Sequence, residues 1–169
     1  MDILALAQQF ILWSQDIAVT WGYLGIFVVS ILGNASIFFP VPVFAISFFA
    51  GAILNPWLVG ITAGVGAAIG ELTGYVLGIG GREVIKSKNK KWLSKAKKWS
   101  DNKGVFPVII LFAATPLPYD IIGILAGIIK YDLKRFFLAT VIGKVIINVI
   151  LAWAGFYSVA WVAGVFGWV

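Results

Sequence analysis

The chain has 169 residues, 61% hydrophobic and only 12% charged, with stretches at 22–54, 57–80 and 104–129 free or nearly free of charge. This excludes a soluble globular domain and indicates an all-α integral membrane protein with a single domain, 1–169. Cysteine and histidine are both absent, which removes disulfides, thiolate chemistry, the commonest metal ligand and the commonest general base. The net charge of +6 is uneven: 1–81 carry only Asp2, Asp16 and Glu71, whereas 82–103 are dense in lysine, opposed by Glu83 and Asp101 alone. The positive-inside rule makes 82–103 cytoplasmic and the N-terminus external, in a multi-pass protein of the cell membrane.

The N-terminus lacks the basic region and cleavage site of a signal peptide and reads as mature structure. Residues 1–16 alternate apolar and polar positions as an amphipathic helix lying in the interface, with Ile3, Ala7, Phe10, Ile11 and Trp13 against Gln8, Gln9, Gln15 and Asp16. A first repeat, 22–80, opens with an apolar run from Tyr23 to Leu54, interrupted between Asn34 and Pro42. Each limb of that run spans roughly 18–22 Å at 1.5 Å per residue, too short for a hydrocarbon core of about 30 Å. With Pro40 and Pro42 ending helix at its tip, the run reads as a re-entrant hairpin reaching about the midplane. Trp57 to Gly80 can then cross, anchored by Trp57 outside and Arg82 inside, with Glu71 nearer the cytoplasmic end. Its small residues at spacings of three and four suit close helix packing.

The basic segment 82–103 reads as an interfacial helix, with Ile85, Trp92, Ala96 and Trp99 on one face. Arg82, Lys90, Lys91, Lys97 and Lys98 could bind anionic headgroups or merely fix topology. The second repeat, 104–157, begins at Gly104-Val-Phe106, which mirrors Gly25-Ile-Phe27 at an offset of 79. Pro116-Leu-Pro118 and Ala126-Gly127 restate Pro40-Val-Pro42 and Ala50-Gly51 at an offset of 76. If 104–129 fold back as a hairpin, Lys130, Lys134 and Arg135 return to the basic side, which the positive-inside rule favours. Phe136 to about Trp153 crosses outward, and the apolar segment 158–169 lies near the outer side or extends that helix. The expected architecture is two inverted-topology repeats, each a re-entrant helical hairpin followed by a transmembrane helix, the plan of many secondary transporters.

Three ionisable residues fall where lipid is expected: Glu71, Asp120 and Lys144. Each must face protein or water, pair, or become neutral. Glu71 and Lys144 lie on the two crossing helices, either as a structural ion pair or on a substrate or proton path. Asp120 follows Pro118 and either caps free N–H groups of the second limb or gains and loses a proton at the hairpin tip. Asn148, one turn from Lys144, could line the same cavity or serve only as an interhelical donor. Both second limbs start at a tip, so their positive ends favour an anion there. A phosphate headgroup whose tail stays in lipid is therefore the expected cargo.

The ordered motifs Phe39-Pro-Val-Pro42, Phe49-Ala-Gly51, Gly70-Glu71, Gly74-Tyr75-Val-Leu-Gly78, Thr115-Pro-Leu-Pro118, Ala126-Gly127, Arg135-Phe136, Gly143, Asn148 and Gly155 resemble the DedA family. That family is also called the VTT or SNARE-associated-Golgi-protein domain, and the resemblance covers roughly 22–157. It implies re-entrant hairpins in inverted repeats and movement of lipids between leaflets: undecaprenyl phosphate, coupled to protons, in bacterial members and phospholipid scrambling in eukaryotic relatives. Glu71 matches the family's acidic position in the first crossing helix. Phe44 and Ala45 stand where bacterial members place a glutamate, and Ala113 and Tyr119 where they place arginines. Those departures weigh against carrying over the bacterial substrate and suggest a divergent branch, such as an archaeal one.

The sequence thus predicts a non-enzymatic flippase- or scramblase-like transporter, without cofactor or metal, that moves an anionic or polyprenyl-phosphate lipid between leaflets and can couple this to protons. Its partners are membrane lipids with a phosphate headgroup and not nucleic acid, and a homo-oligomer is compatible with the sequence. The site residues expected are Glu71, Asp120, Lys144 and Asn148, with Pro40, Pro42, Pro116 and Pro118 at the tips. The alternatives are a proton- or ion-coupled transporter of a small solute and a structural assembly factor.

Overall fold

A computed structural model describes residues 21–35, 43–88, 91, 94–95, 97–98, 104–117 and 119–166. Seven helices can be followed among them: α1 (Gly22–Ala35), α2 (Val43–Ile53), α3 (Pro56–Gly70), α4 (Leu72–Lys88), α5 (Val105–Ala113), α6 (Asp120–Ile128) and α7 (Leu133–Phe166). The expected interfacial helix 1–16 and residues Pro40, Pro42, Lys90 and Pro118 lie outside the described residues.

Local chemistry sets the boundaries. Asn55 caps α3, its Oδ1 accepting from Trp57 N and Leu58 N at 3.0 and 3.2 Å, with Pro56 at the first turn where its missing N–H costs nothing. Lys130, at φ +53°, turns the chain out of α6. Asp132 then caps α7 by accepting from Arg135 N at 2.8 Å. Between α3 and α4 the helix is interrupted at Glu71, where the bond from Tyr75 N to the Glu71 carbonyl stretches to 3.5 Å. Thr73 Oγ1 bonds the Gly70 and Ala35 carbonyls at 2.9 and 3.3 Å, tying the break to the end of α1.

Two stretches are long and apolar enough to cross a bilayer by length and composition, Pro56–Glu83 with 28 residues and Leu133–Val159 with 27. The first runs on past Gly80, and Glu71 is the sixteenth of its 28 residues. α7 continues to Phe166 as one 34-residue helix, so the apolar C-terminal segment extends the last helix.

Glycines fix how these elements meet. Gly60 and Gly64 of α3 face Val149 and Val145 of α7, so the two long helices run antiparallel. Gly66 and Gly70 face Phe27 and Ile31, so α1 runs parallel to α3 and ends level with the break at Glu71. α2 runs parallel to α7, through Ser47 beside Asn148 and Gly51 against Ala152. α6 begins level with Gly74 and runs beside α4 until Arg82 Nη1 donates to the Ile128 carbonyl. Lys130, Lys134 and Arg135 therefore lie at the same end of the molecule as Arg82. Gly143 on α7 meets the last turn of α5 at Ile110 and Ala113. The first short helix of each half thus packs on the long helix of its own half, and the second on the long helix of the other.

The contact registers also repeat. Gly155 meets the Phe48 carbonyl as Gly78 meets that of Ile124, and Gly51 meets Ala152 as Gly127 meets Tyr75. The offset is 76 in the short helices (124−48, 127−51) and 77 in the long ones (155−78, 152−75).

The buried apolar residues form two separate clusters. One joins α4, α5, α6 and the start of α7, through Tyr75, Val105, Ile109, Tyr119, Ile128 and Phe136 among others. The other joins α1, α2, α3 and a later turn of α7, through Ile26, Ile46, Ala50, Val59, Ala63 and Ala152. On the outside, Leu24, Val28, Leu32, Val76, Leu77, Ile142, Ile146 and Ile150 are exposed. An apolar exterior around a partly polar interior inverts the pattern of a soluble domain.

Candidate functional site

Among the described residues, the buried polar and charged ones are Ser30, Ser47, Glu71, Thr140, Lys144 and Asn148. α7 supplies three of them from one face, at spacings of four residues (140, 144, 148), while Ile142, Ile146 and Ile150 point outward from the same turns. Together they form a polar layer between the two apolar clusters, midway along both long helices.

Lys144 and Glu71, 4% and 3% exposed, form an ion pair at 2.5 Å between Nζ and Oε1. Lys144 Nζ also donates to Asn34 Oδ1 at 3.2 Å and sits 5.0 Å from the centre of the Tyr119 ring. Asn34 in turn donates from Nδ2 to the Ser30 carbonyl at 2.9 Å, which holds its oxygen toward the ammonium. Asn148 Nδ2 donates to the Lys144 carbonyl at 2.7 Å, and its Oδ1 accepts from Ser47 Oγ at 2.5 Å. Tyr119 OH is 2.6 Å from Thr140 Oγ1, which reaches the Phe136 carbonyl at 2.8 Å. The Tyr119 and Tyr75 rings stack on Phe136, and Tyr75 OH bonds the Tyr131 carbonyl.

Glu71 and Lys144 are partners, and Asn148 stands one turn from Lys144 on the same network. At the offset of 77 that relates contacts of the two long helices, Asn148 falls opposite Glu71 (148−77) and Lys144 opposite Ala67 (144−77), so the matching positions carry different side chains. Asp120 opens α6 close enough to Glu71 to act on it electrostatically, but the helix has no side-chain cap and the Asp120 carboxylate makes no hydrogen bond among the described residues. Pro116 is exposed beside the end of α5. Of the basic surface residues, Lys91, Lys97 and Lys98 are exposed, whereas Arg82 is half-buried and donates to a carbonyl at the end of α6.

Sequence reasoning missed Asn34, Ser47, Tyr119 and Thr140 as members of the site. For Asn34 and Ser47 the available signal was a polar side chain within a short apolar helix, which hydrocarbon does not tolerate unpaired. Among the described residues, two buried polar atoms in the layer have no hydrogen-bond partner, Ser30 Oγ and Glu71 Oε2. A layer with a cation, a carboxylate, hydroxyls and unfilled hydrogen-bonding capacity can receive a polar group from outside the protein.

A family model, the VTT domain, matches residues 40–157, well over half of the chain. The inner membrane protein YqaA of Escherichia coli (strain K12) is 27% identical over 116 residues, covering 69% of this chain and 78% of that protein. YqaA of Shigella flexneri matches with the same figures. No solved structure matches. Helices of spanning length, an apolar exterior and the extent of the family match lead to one assignment: the chain belongs to the VTT-domain, or DedA, family of membrane proteins.

Proposed function

We propose that this protein moves a lipid with an anionic, phosphate-bearing headgroup between the leaflets of the cell membrane, the headgroup crossing at the polar layer while its tail stays in the surrounding lipid. The observation that carries this reading is the convergence of both hairpin ends on Lys144. α1, α2, α5 and α6 have 14, 11, 9 and 9 residues, about 14–21 Å each, so none crosses a core of about 30 Å alone. Read in a bilayer, α1–α2 dips from one face and α5–α6 from the other, as two inverted repeats. The basic end with Arg82, Lys130, Lys134 and Arg135 faces the cytoplasm. Irregular backbone at membrane depth is tolerated where it is buried or lines a polar cavity, and Asn34 at the end of α1 and Tyr119 just before α6 bring such backbone against the polar layer.

Phosphate favours this place for electrostatic reasons. Lys144 supplies a desolvated cation, the start of α6 supplies a positive helix end, and the hydroxyls of Ser30, Ser47, Thr140 and Tyr119 replace water around a headgroup. As Lys144 turns to the phosphate, Glu71 is left without its counter-ion in a low-dielectric layer, and proton uptake by its carboxylate couples lipid movement to protons. Glu71→Gln and Asp120→Asn should each slow transfer of a tail-labelled phosphate lipid in proteoliposomes while the protein still folds. Wild-type rates in both variants would remove these residues from the path.

A further inference from the structure

We infer that Lys144 is a latch: its one ammonium holds both hairpins closed across the polar layer, and an anionic phosphate group opens both together by drawing that ammonium away. The inference rests on the transport reading above and adds the trigger that makes the passage selective for charge. Among the described residues the two hairpins are held to the long helices and scarcely touch each other. Besides α7, on which α2 and α5 both pack, they share Lys144. Asn34 at the end of α1 accepts from Nζ at 3.2 Å, and Tyr119 immediately before α6 lies with its ring centre 5.0 Å from it. The third partner, Glu71, sits at the break between α3 and α4, beside the glycines at 70 and 74 against which the end of α1 and the start of α6 pack.

The character of these contacts suits a latch. The two apolar clusters lie on either side of the layer, so within it the hairpin ends are held by their contacts with the glycines at 70 and 74 and by polar bonds rather than by interdigitated apolar side chains. Hydrogen bonds and a cation–π contact hold this layer, and a ligand can exchange such bonds one for one, which it cannot do with interdigitated side chains. A phosphate oxygen satisfies the ammonium with charge-assisted bonds of its own. Asn34 and the Tyr119 ring then lose their shared cation in a single event, and the unpartnered Ser30 Oγ marks hydrogen-bonding capacity the closed layer leaves unused. A lipid with no phosphate offers Lys144 nothing and leaves both hairpins in place.

The chain has no cysteine, so single reporters can be placed at Ala35 and Ala114, the half-buried residues at the ends of α1 and α5. Each single-cysteine protein is reconstituted in phosphatidylcholine nanodiscs containing either phosphatidic acid or diacylglycerol, and its reaction with a water-soluble maleimide is timed. The latch predicts that phosphatidic acid speeds labelling about tenfold at both reporters relative to diacylglycerol, the factor expected when one charge-assisted hydrogen bond is lost. In the Glu71→Gln/Lys144→Met background, which leaves no buried charge unpaired between these two positions, labelling is fast at both with either lipid. A response at one reporter only, equal rates with the two lipids in the wild type, or a lipid response surviving in the double variant would each overturn it. Labelling is read without transport, so hairpins that respond to phosphate in a protein that moves no lipid would keep the latch and refute the transport reading, while transport with unresponsive hairpins would refute the latch alone.

Discussion

Lys144→Met should be one of the most damaging single substitutions in the protein, and the reason lies in what it leaves behind. Glu71 is 3% exposed and its Oε2 already has no partner. Removing the ammonium takes the donor from Oε1 as well and strands a carboxylate away from water. Breaking a buried pair from one side costs about 3–5 kcal/mol, whereas removing both charges is often near neutral. Glu71→Gln alone should cost less, about 1–3 kcal/mol, because Asn34 and the Tyr119 ring still hold the ammonium. The double variant Glu71→Gln/Lys144→Met, with side chains of matched length, should recover most of the loss seen in Lys144→Met. Denaturant unfolding in detergent micelles, followed by the fluorescence of the eight tryptophans, gives all four corners of the cycle. A double variant as unstable as Lys144→Met, or a Lys144→Met protein within about 0.5 kcal/mol of wild type as expected of a surface change, would refute the reasoning.

Ser47→Ala should cost about 1–3 kcal/mol in the same assay, because Asn148 Oδ1 then loses its donor at a fully buried position. Gly127→Ala should cost about 1–3 kcal/mol by forcing a methyl group into the Tyr75 carbonyl, while Gly80→Ala, with open space around it, should gain about 0.5–1 kcal/mol of helix stability. Equal midpoints for these two alanine variants would contradict the packing of α6 on α4.

The membrane class was legible in composition, and the proline and glycine phrases restated at an offset of 76 share that offset with the contacts of the short helices, because both are properties of the chain read along its length. The pairing of Glu71 with Lys144 was one of two open readings, since charges on two apolar helices have few other partners. The layer around them depends on how helices far apart in sequence come into register. Ser47 and Asn148 are 101 residues apart and Asn34 and Lys144 are 110 apart, and no local pattern specifies which polar residue of a short helix faces which turn of α7. The interruption at Glu71 was also hidden, because Gly70 and Gly74 fit both a packed helix and a broken one. Asp120 shows the opposite case: an acid in the first turn suggests a cap, yet its carboxylate makes no hydrogen bond among the described residues.

The central claim, that the polar layer passes a phosphate headgroup, is tested most directly by reconstituting the wild-type protein in proteoliposomes with tail-labelled lipids that share acyl chains and differ only in headgroup. Leaflet exchange is then followed with and without a proton gradient. The account predicts that phosphate-bearing anionic lipids exchange faster than neutral ones, and that the gradient changes the rate for the former. Equal exchange of all headgroups, or none above protein-free vesicles, would contradict it.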